Sequence, residues 1–232
     1  MKGLFVTGTD TGVGKTTVAA SLASLLRHNG TDVGVMKPFA TGTKEFSSEY
    51  KSKDSAMLAN ASDVNDPDTQ INPFFYSVPT APFTAAKIKF ETEPSLQVAL
   101  KVYRKLAAKH EFMIVEGIGG IMVPLAKKKC VVHFAKLLGL PTIVVAGPKT
   151  GTINHTLLTI KICKDFGLNL VGIIFNGMSA KETALEEEII NTIREFSKTK
   201  IVSVIPFLRR QDLKNMASIL EKDFIASSIL GF

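Results

Sequence analysis

The stretch Gly8-Thr9-Asp10-Thr11-Gly12-Val13-Gly14-Lys15-Thr16-Thr17 decides the fold. It follows the apolar run Leu4-Phe5-Val6 and leads into a helical pattern of Val18, Leu22, Leu25 and Leu26. A strand that ends in a glycine-rich turn and then opens a helix aims several backbone N–H groups at one point. The positive end of the helix dipole favours an anion there. The segment therefore reads as a phosphate-binding loop. Gly12, Val13, Gly14, Lys15, Thr16 and Thr17 would contact a nucleotide, with Lys15 reaching its terminal phosphates and the Thr16 hydroxyl ligating magnesium. The loop is one residue longer than G-x-x-x-x-G-K-[ST], because Thr9 stands in the first glycine's place and Gly8 one residue earlier.

Working outward, short β-branched runs recur with helical patterns between them. They are Leu4-Val6, Val33-Val35, Phe112-Val115, Thr142-Val145, Leu170-Phe175 and Ile201-Ile205. Continuous apolar runs are what strands buried on both faces need. Residues 94–110 place Leu96, Ala99, Leu100, Tyr103 and Leu106 on one stripe, and residues 181–197 place Leu185, Ile189, Ile193 and Phe196 likewise. The alternation predicts an α/β fold: a doubly wound, mostly parallel sheet with helices on both faces. Residues 1–232 read as a single P-loop domain. The stretch at about 43–82 lacks periodicity and is rich in Ser, Asp, Asn and Pro; it reads as an active-site insertion with a short helix around Ser52 to Asn60.

Composition narrows the function. No apolar run approaches the roughly 20 residues that cross a bilayer, and the start of the chain is too short in apolar residues for a secretory signal. The expectation is a soluble, cytoplasmic protein without a membrane partner. Cys130 and Cys163 have no C-x-x-C spacing and no histidine cluster, so they read as reduced packing residues. A net charge of +7 invites a nucleic-acid partner. The lysines are dispersed, however, and the run Lys127-Lys128-Lys129 reads as a loop before a helix, so a solvated surface that attracts small anions is expected instead.

In a doubly wound sheet, ligands gather outside the carboxyl ends of the strands. Glu116, followed by Gly117, Ile118, Gly119 and Gly120, stands just after Phe112-Val115, where a carboxylate would face phosphates and hold magnesium. Asp54 is a lone acid in a polar insertion, and spacing by itself does not separate a ligand from a solvated acid. Lys37 precedes Pro38, so a turn places it at the sheet edge. Its ammonium either stabilises charge on a transferring phosphoryl group or is merely solvated. Gly151, Thr152, Ile153 and Asn154 open another helix, whose free N–H groups could hold a carboxylate.

The combination G-T-D-T-G-V-G-K-T-T, K-P-F-A-T-G, K-D-S-A, V-E-G-I-G-G and G-T-I-N-H-T-L-L-T closely resembles the dethiobiotin synthetase family of the biotin pathway, over essentially the whole chain. The resemblance implies a magnesium- and ATP-dependent cyclo-ligase. Such an enzyme takes 7,8-diaminopelargonate and CO2 (or bicarbonate) through a carbamate and a carbamic-phosphoric mixed anhydride to dethiobiotin, ADP and phosphate. It implies Thr11, Lys15 and Lys37 as catalytic residues, the two lysines flanking carbamate and γ-phosphate. Thr16, Asp54 and Glu116 would be the metal ligands. Thr41 would touch the diamine or carbamate, and Gly151 to Asn154 would clamp the substrate carboxylate across a homodimer interface. Asn176, Gly177 and the Pro206-Phe207-Leu208 turn would face adenine. Departures from the family pattern are Gly12, Thr41, Ile118 and Gly177; Ile118 adds bulk beside the phosphates, and Gly177 removes a nucleobase or ribose contact that bears on base selectivity.

The alternative is a switch ATPase of the partition or septum-positioning type. Those proteins carry a second lysine five residues before the loop lysine, where this chain has Asp10. Their membrane-binding versions end in a basic amphipathic helix. Here the C-terminal segment mixes acids with lysines around Leu213, Met216, Leu220 and Phe224, a pattern that reads as a core stripe.

Overall fold

The computed structural model describes residues 2–181, 183–208 and 212–227, the side chains of 224–227 excepted. In chain order, β1 (Lys2–Gly8) runs through the glycine-rich turn into α1 (Lys15–His28), followed by β2 (Val33–Met36) and β3 (Phe39–Thr41). Next come α2 (Lys53–Ser62), α3 (Asp68–Ile71), β4 (Phe74–Tyr76), α4 (Pro82–Lys89) and α5 (Leu96–Ala107). β5 (Phe112–Gly120), β6 (Pro124–Ala126), β7 (Lys129–Cys130), α6 (Val131–Leu138), β8 (Thr142–Ala146) and α7 (Thr152–Asp165) follow. The chain closes with β9 (Leu170–Met178), α8 (Ala184–Ser197), β10 (Ile201–Pro206) and α9 (Leu213–Ser227).

All six predicted runs lie in one sheet of order β10-β9-β8-β1-β5-β2, and every pairing in it is parallel. Side chains alternate across each strand, so neighbouring residues feed opposite faces. Leu4, Val6, Ile114, Ile143, Val145 and Ile174 pack with Val18, Leu22 and Leu26 of α1, Leu58 of α2 and Leu220 of α9. Phe5, Met113, Val115 and Val144 face the other way, onto α5 and α6. Ile173 and Phe175 meet α7 and α8 through Ile160, Ile190 and Ile193. Burying a side chain such as Phe5 or Phe175, both without solvent exposure, stabilises the fold by about 1.5–3 kcal/mol each.

Four local expectations change. Glu116 lies within β5 rather than beyond it: Val6 pairs with Glu116 and Gly8 with Gly120, so the strand carries extra residues and continues past a bulge. The predicted stripe of α8 holds at Ile193, which is buried, and at Ile189, which packs against the core, but Leu185 and Phe196 are both 71 % exposed and Ile190 is buried in addition. The 43–82 stretch holds the expected helix, α2, capped by the Ser52 side chain, but also α3 and β4. β4 pairs with β3 in a separate two-stranded parallel sheet, a long-range contact that local periodicity does not report. Lys127 and Lys128 form the turn of a small β6–β7 hairpin. In α9, Met216 and Leu220 are buried as expected, while the side chain of Phe224 lies outside the described residues. Among the described residues no helix is long and apolar enough to cross a membrane.

Candidate active site

The C-terminal ends of β1, β2 and β5 converge with the start of α2 on a cavity of about 580 Å³. Gly14 caps α1 in the left-handed conformation (φ 91°), which glycine adopts without the steric penalty a Cβ imposes. A Cβ there would stand 2.0 Å from Asn176 Nδ2. That close approach is used, since Asn176 Nδ2 donates to the Val13 carbonyl at 3.0 Å and ties the end of β9 to the loop. Lys15, the first residue of α1, is buried, and its Nζ donates to the Asp10 carbonyl at 2.7 Å across the loop. Burial, and then the neighbouring Lys37, lower its pKa to about 8.

Lys37 follows the last residue of the edge strand β2 and is 2 % exposed. Its Nζ donates to Glu116 Oε1 at 2.5 Å and to the Gly117 carbonyl at 2.9 Å, and lies 3.0 Å from Asp54 Oδ2. Thr16 Oγ1, from the first turn of α1, donates to the same Glu116 Oε1 at 2.8 Å. Asp54 sits in the first turn of α2, its N–H held by the Ser52 side chain at 3.1 Å. Burial opposes the charge of Lys37, but Glu116 and Asp54 outweigh it and hold the ammonium above the ordinary lysine value. Burial likewise opposes ionisation of Asp54, yet Lys37 wins and holds that carboxyl below its usual range. For the fully enclosed Glu116, desolvation prevails over Lys37 and pushes the carboxyl up.

Two carboxylates and a hydroxyl are the hard oxygen donors that magnesium prefers. Glu116 Oε2 is a buried oxygen with no hydrogen-bond partner among the described residues. A buried acceptor left unpaired in this way costs about 1–3 kcal/mol. A cation beside it would remove that penalty, so Thr16, Asp54 and Glu116 fit a bound divalent ion.

Of the remaining expected site residues, Thr11, Gly12, Thr17, Thr41 and Gly119 line the cavity with those above. Val13 does not; its side chain is 4 % exposed and packs in the core. Gly177 follows Asn176 in β9, beside Pro148. Pro206, Phe207 and Leu208 lie next to these residues because β10 pairs with β9, Ile205 opposite Asn176 and Pro206 opposite Met178. The Phe207 ring is 67 % exposed. Gly151, Thr152, Ile153 and Asn154 open α7 as expected, but none of them lines this cavity. The Thr152 N–H is not free, since it donates to the Lys149 carbonyl at 3.0 Å, which leaves the amides of Ile153 and Asn154 at the helix opening.

Sequence reasoning missed Lys53, Pro79 and Thr80, which also line the cavity, and Asn72 behind Lys37. Pro82 at the first turn of α4 is the local signal that would have flagged Pro79 and Thr80. No local pattern marks Asn72.

A protein-family profile described as an AAA domain matches residues 2–215. The ATP-dependent dethiobiotin synthetase BioD of Nitrosopumilus maritimus is 37% identical over 230 residues, covering 99% of this chain and 100% of its own. That of Bacillus licheniformis is 44% identical over 208 residues, covering 90% and 87%. That of Bacillus subtilis is 39% identical over 230 residues, covering 99% and 97%. Among solved structures, the septum site-determining protein MinD of Pyrococcus horikoshii, complexed with Mg-ADP, superposes with a TM-score of 0.55 at 16% identity, covering 99% of this chain and 98% of its own. A ParA family ATPase of Chlorobium tepidum reaches 0.53 at 17% identity, covering 99% and 94%. These last two likenesses show the shared P-loop fold alone. The level and extent of identity to the synthetases place the chain in the ATP-dependent dethiobiotin synthetase family, carbon–nitrogen ligases of biotin biosynthesis.

Proposed function

We propose that this protein closes the ureido ring of dethiobiotin from 7,8-diaminopelargonate, CO2 and ATP. One amine of the substrate adds to CO2 and loses a proton, giving a carbamate. A carbamate oxygen attacks the γ-phosphorus and ADP leaves, producing the carbamic-phosphoric mixed anhydride. The second amine then attacks the carbonyl carbon, phosphate departs and the ring is closed. Phosphoryl transfer asks a protein mainly for positioning and charge stabilisation. The observation that carries this reading is Lys37, a buried ammonium held between Glu116 and Asp54 in the same cavity as the phosphate loop.

In this reading the loop amides from Thr11 to Thr17 bind the triphosphate, and Lys15 and Lys37 face the carbamate and γ-phosphate from two sides. Both ammonium groups neutralise charge as it spreads over the transferring oxygens. Thr16, Asp54 and Glu116 hold magnesium, which would neutralise β- and γ-phosphate charge when bound. Thr41, in β3, contacts the diamine or carbamate. Asn176 offers its carboxamide oxygen to the base, because its nitrogen is engaged by Val13, and Gly177 with Pro206 to Leu208 forms the adjoining surface. The helix opening from Gly151 to Asn154 receives the substrate carboxylate of a partner subunit, which is why we infer a homodimer; its separation from the cavity within one chain supports that arrangement. We further infer a single-domain, cytoplasmic enzyme.

The test is phosphate release from MgATP and bicarbonate with and without the diamine, with dethiobiotin followed by mass spectrometry. Diamine-dependent phosphate matched by dethiobiotin supports the synthetase. Slow hydrolysis indifferent to the diamine refutes it and favours a switch ATPase.

A further inference from the structure

Lys37 has no sheet partner for its backbone. The β2–β5 ladder ends at Met36 opposite Val115, and the next residue, Pro38, has no N–H to continue it. The groups that replace the ladder come from the far end of the 43–82 stretch. The Lys37 N–H donates to the Ile71 carbonyl at 2.8 Å. The Lys37 carbonyl accepts from Asn72 Nδ2 at 2.6 Å. Asn72 is itself fixed: it is 3 % exposed, it caps the C-terminal end of α3 with its N–H donating to the Asp68 carbonyl, and the following Pro73 keeps its backbone out of the helical region.

We propose that Asn72 is a positioning residue that aims the Lys37 ammonium by clamping the Lys37 backbone. The Asn72 side chain touches none of the reacting groups, and this assignment rests on the synthetase reading given above. Its other atom argues for that role. Asn72 Oδ1 is buried without a hydrogen-bond partner among the described residues. An apolar side chain of similar size would avoid this penalty, so packing alone does not account for the amide. The shorter of its two side-chain bonds, at 2.6 Å, falls on the residue whose Nζ meets Glu116, Asp54 and the Gly117 carbonyl. Asn72 Nδ2 also donates to the Phe74 carbonyl at 3.4 Å, and the Phe74 N–H donates to the Pro38 carbonyl at 3.2 Å, at the entry to β3. The strand carrying Thr41 and the turn carrying Lys37 thus share one anchor.

The experiment compares Asn72→Leu and Asn72→Asp with the wild-type chain. Both variants keep the approximate shape and remove the donor. A misplaced ammonium is expected to lower kcat by about 100-fold, with KM for ATP changed by no more than about threefold, the pattern of an interaction made in the transition state. Hydrogen exchange, read by mass spectrometry, should quicken at residues 37–42 and stay unchanged in α5 and β8. Wild-type kcat in either variant overturns the proposal, as does exchange that quickens throughout the sheet, because the residue would then act on the fold as a whole. If the wild-type chain makes no dethiobiotin, the synthetase reading fails and exchange alone decides. Faster exchange confined to 37–42 then supports the clamp, and wild-type protection there refutes it.

Discussion

Replacing Lys37 with Met removes a buried positive charge while keeping most of its volume, and the site separates what this does to folding from what it does to turnover. In the folded chain the ammonium is the shared partner of Glu116 at 2.5 Å and Asp54 at 3.0 Å. Without it the enclosed Glu116 keeps its Thr16 contact and the field of Lys15 but loses the ammonium bonded to it. Removing one member of a buried pair costs about 3–5 kcal/mol. Because desolvation already favours the neutral Glu116 carboxyl, losing the ammonium costs less than stranding a fixed charge would, and the loss falls at the lower end of that range. Turnover suffers more. A unit charge about 4 Å from a transferring phosphoryl group, at an effective dielectric near 20, is worth about 4 kcal/mol, which corresponds to about a thousandfold in rate. The assay is diamine-dependent phosphate release, with calorimetric melting run in parallel on Lys37→Met and on Lys37→Met with Glu116→Gln. The double variant should recover most of the lost stability, because the enclosed acid is gone and the remaining Asp54, its side chain 42 % exposed, is solvated, and recover no turnover. A folded Lys37→Met enzyme within tenfold of wild-type turnover would refute the assignment of charge stabilisation. A double variant no more stable than the single one would refute the pairing argument.

Glu116→Gln alone should shift the magnesium dependence of ATP turnover to at least tenfold higher concentration, since one charged ligand is lost; an unchanged titration counts against ligation. Gly14→Ala should leave the circular dichroism spectrum native yet weaken nucleotide binding, measured calorimetrically, by at least about a hundredfold, because φ is 91° and the new Cβ would meet Asn176 at 2.0 Å. Binding within threefold of wild type would sink that reasoning. At the opposite end of the sheet, His110 bridges Asp32 (2.9 Å) and Asp66 (2.7 Å). Burial works against its charge, but the two carboxylates outweigh it and raise its pKa above 6.5. A raised folded pKa means that the contribution to stability is complete below pH 6.5 and is lost as pH climbs through the folded value. The urea midpoint should therefore decline above pH 6.5 in the wild type, more steeply than in His110→Phe; parallel slopes would dismiss the bridge.

Much of the site was legible because its chemistry is local in the chain. The phosphate loop is a contiguous strand-turn-helix, so Gly14, Lys15 and Thr16 could be read from residues 4–26 alone. The six sheet strands were equally plain, since a strand covered on both faces is a continuous apolar run. Where burial is one-sided the reading slipped. In α8 the expected Ile193 is buried, but Ile190 is buried as well while Leu185 and Phe196 are apolar and exposed, because periodicity does not say which apolar residues find a neighbour.

The sequence by itself thus determined the six strands of the main sheet, their parallel sense and the phosphate loop, because these follow from periodicity and from turn chemistry within a few residues. Only the tertiary structure placed Asp54 at the cavity beside the phosphate loop. It brought Asp54 within 3.0 Å of a lysine 17 positions earlier in the chain, and Glu116 within 2.8 Å of Thr16, 100 positions away. It also showed that Asn72 stands behind Lys37. Such contacts are made by the packing of distant segments, and that packing depends on the whole core closing at once, a cooperative event that leaves no local trace.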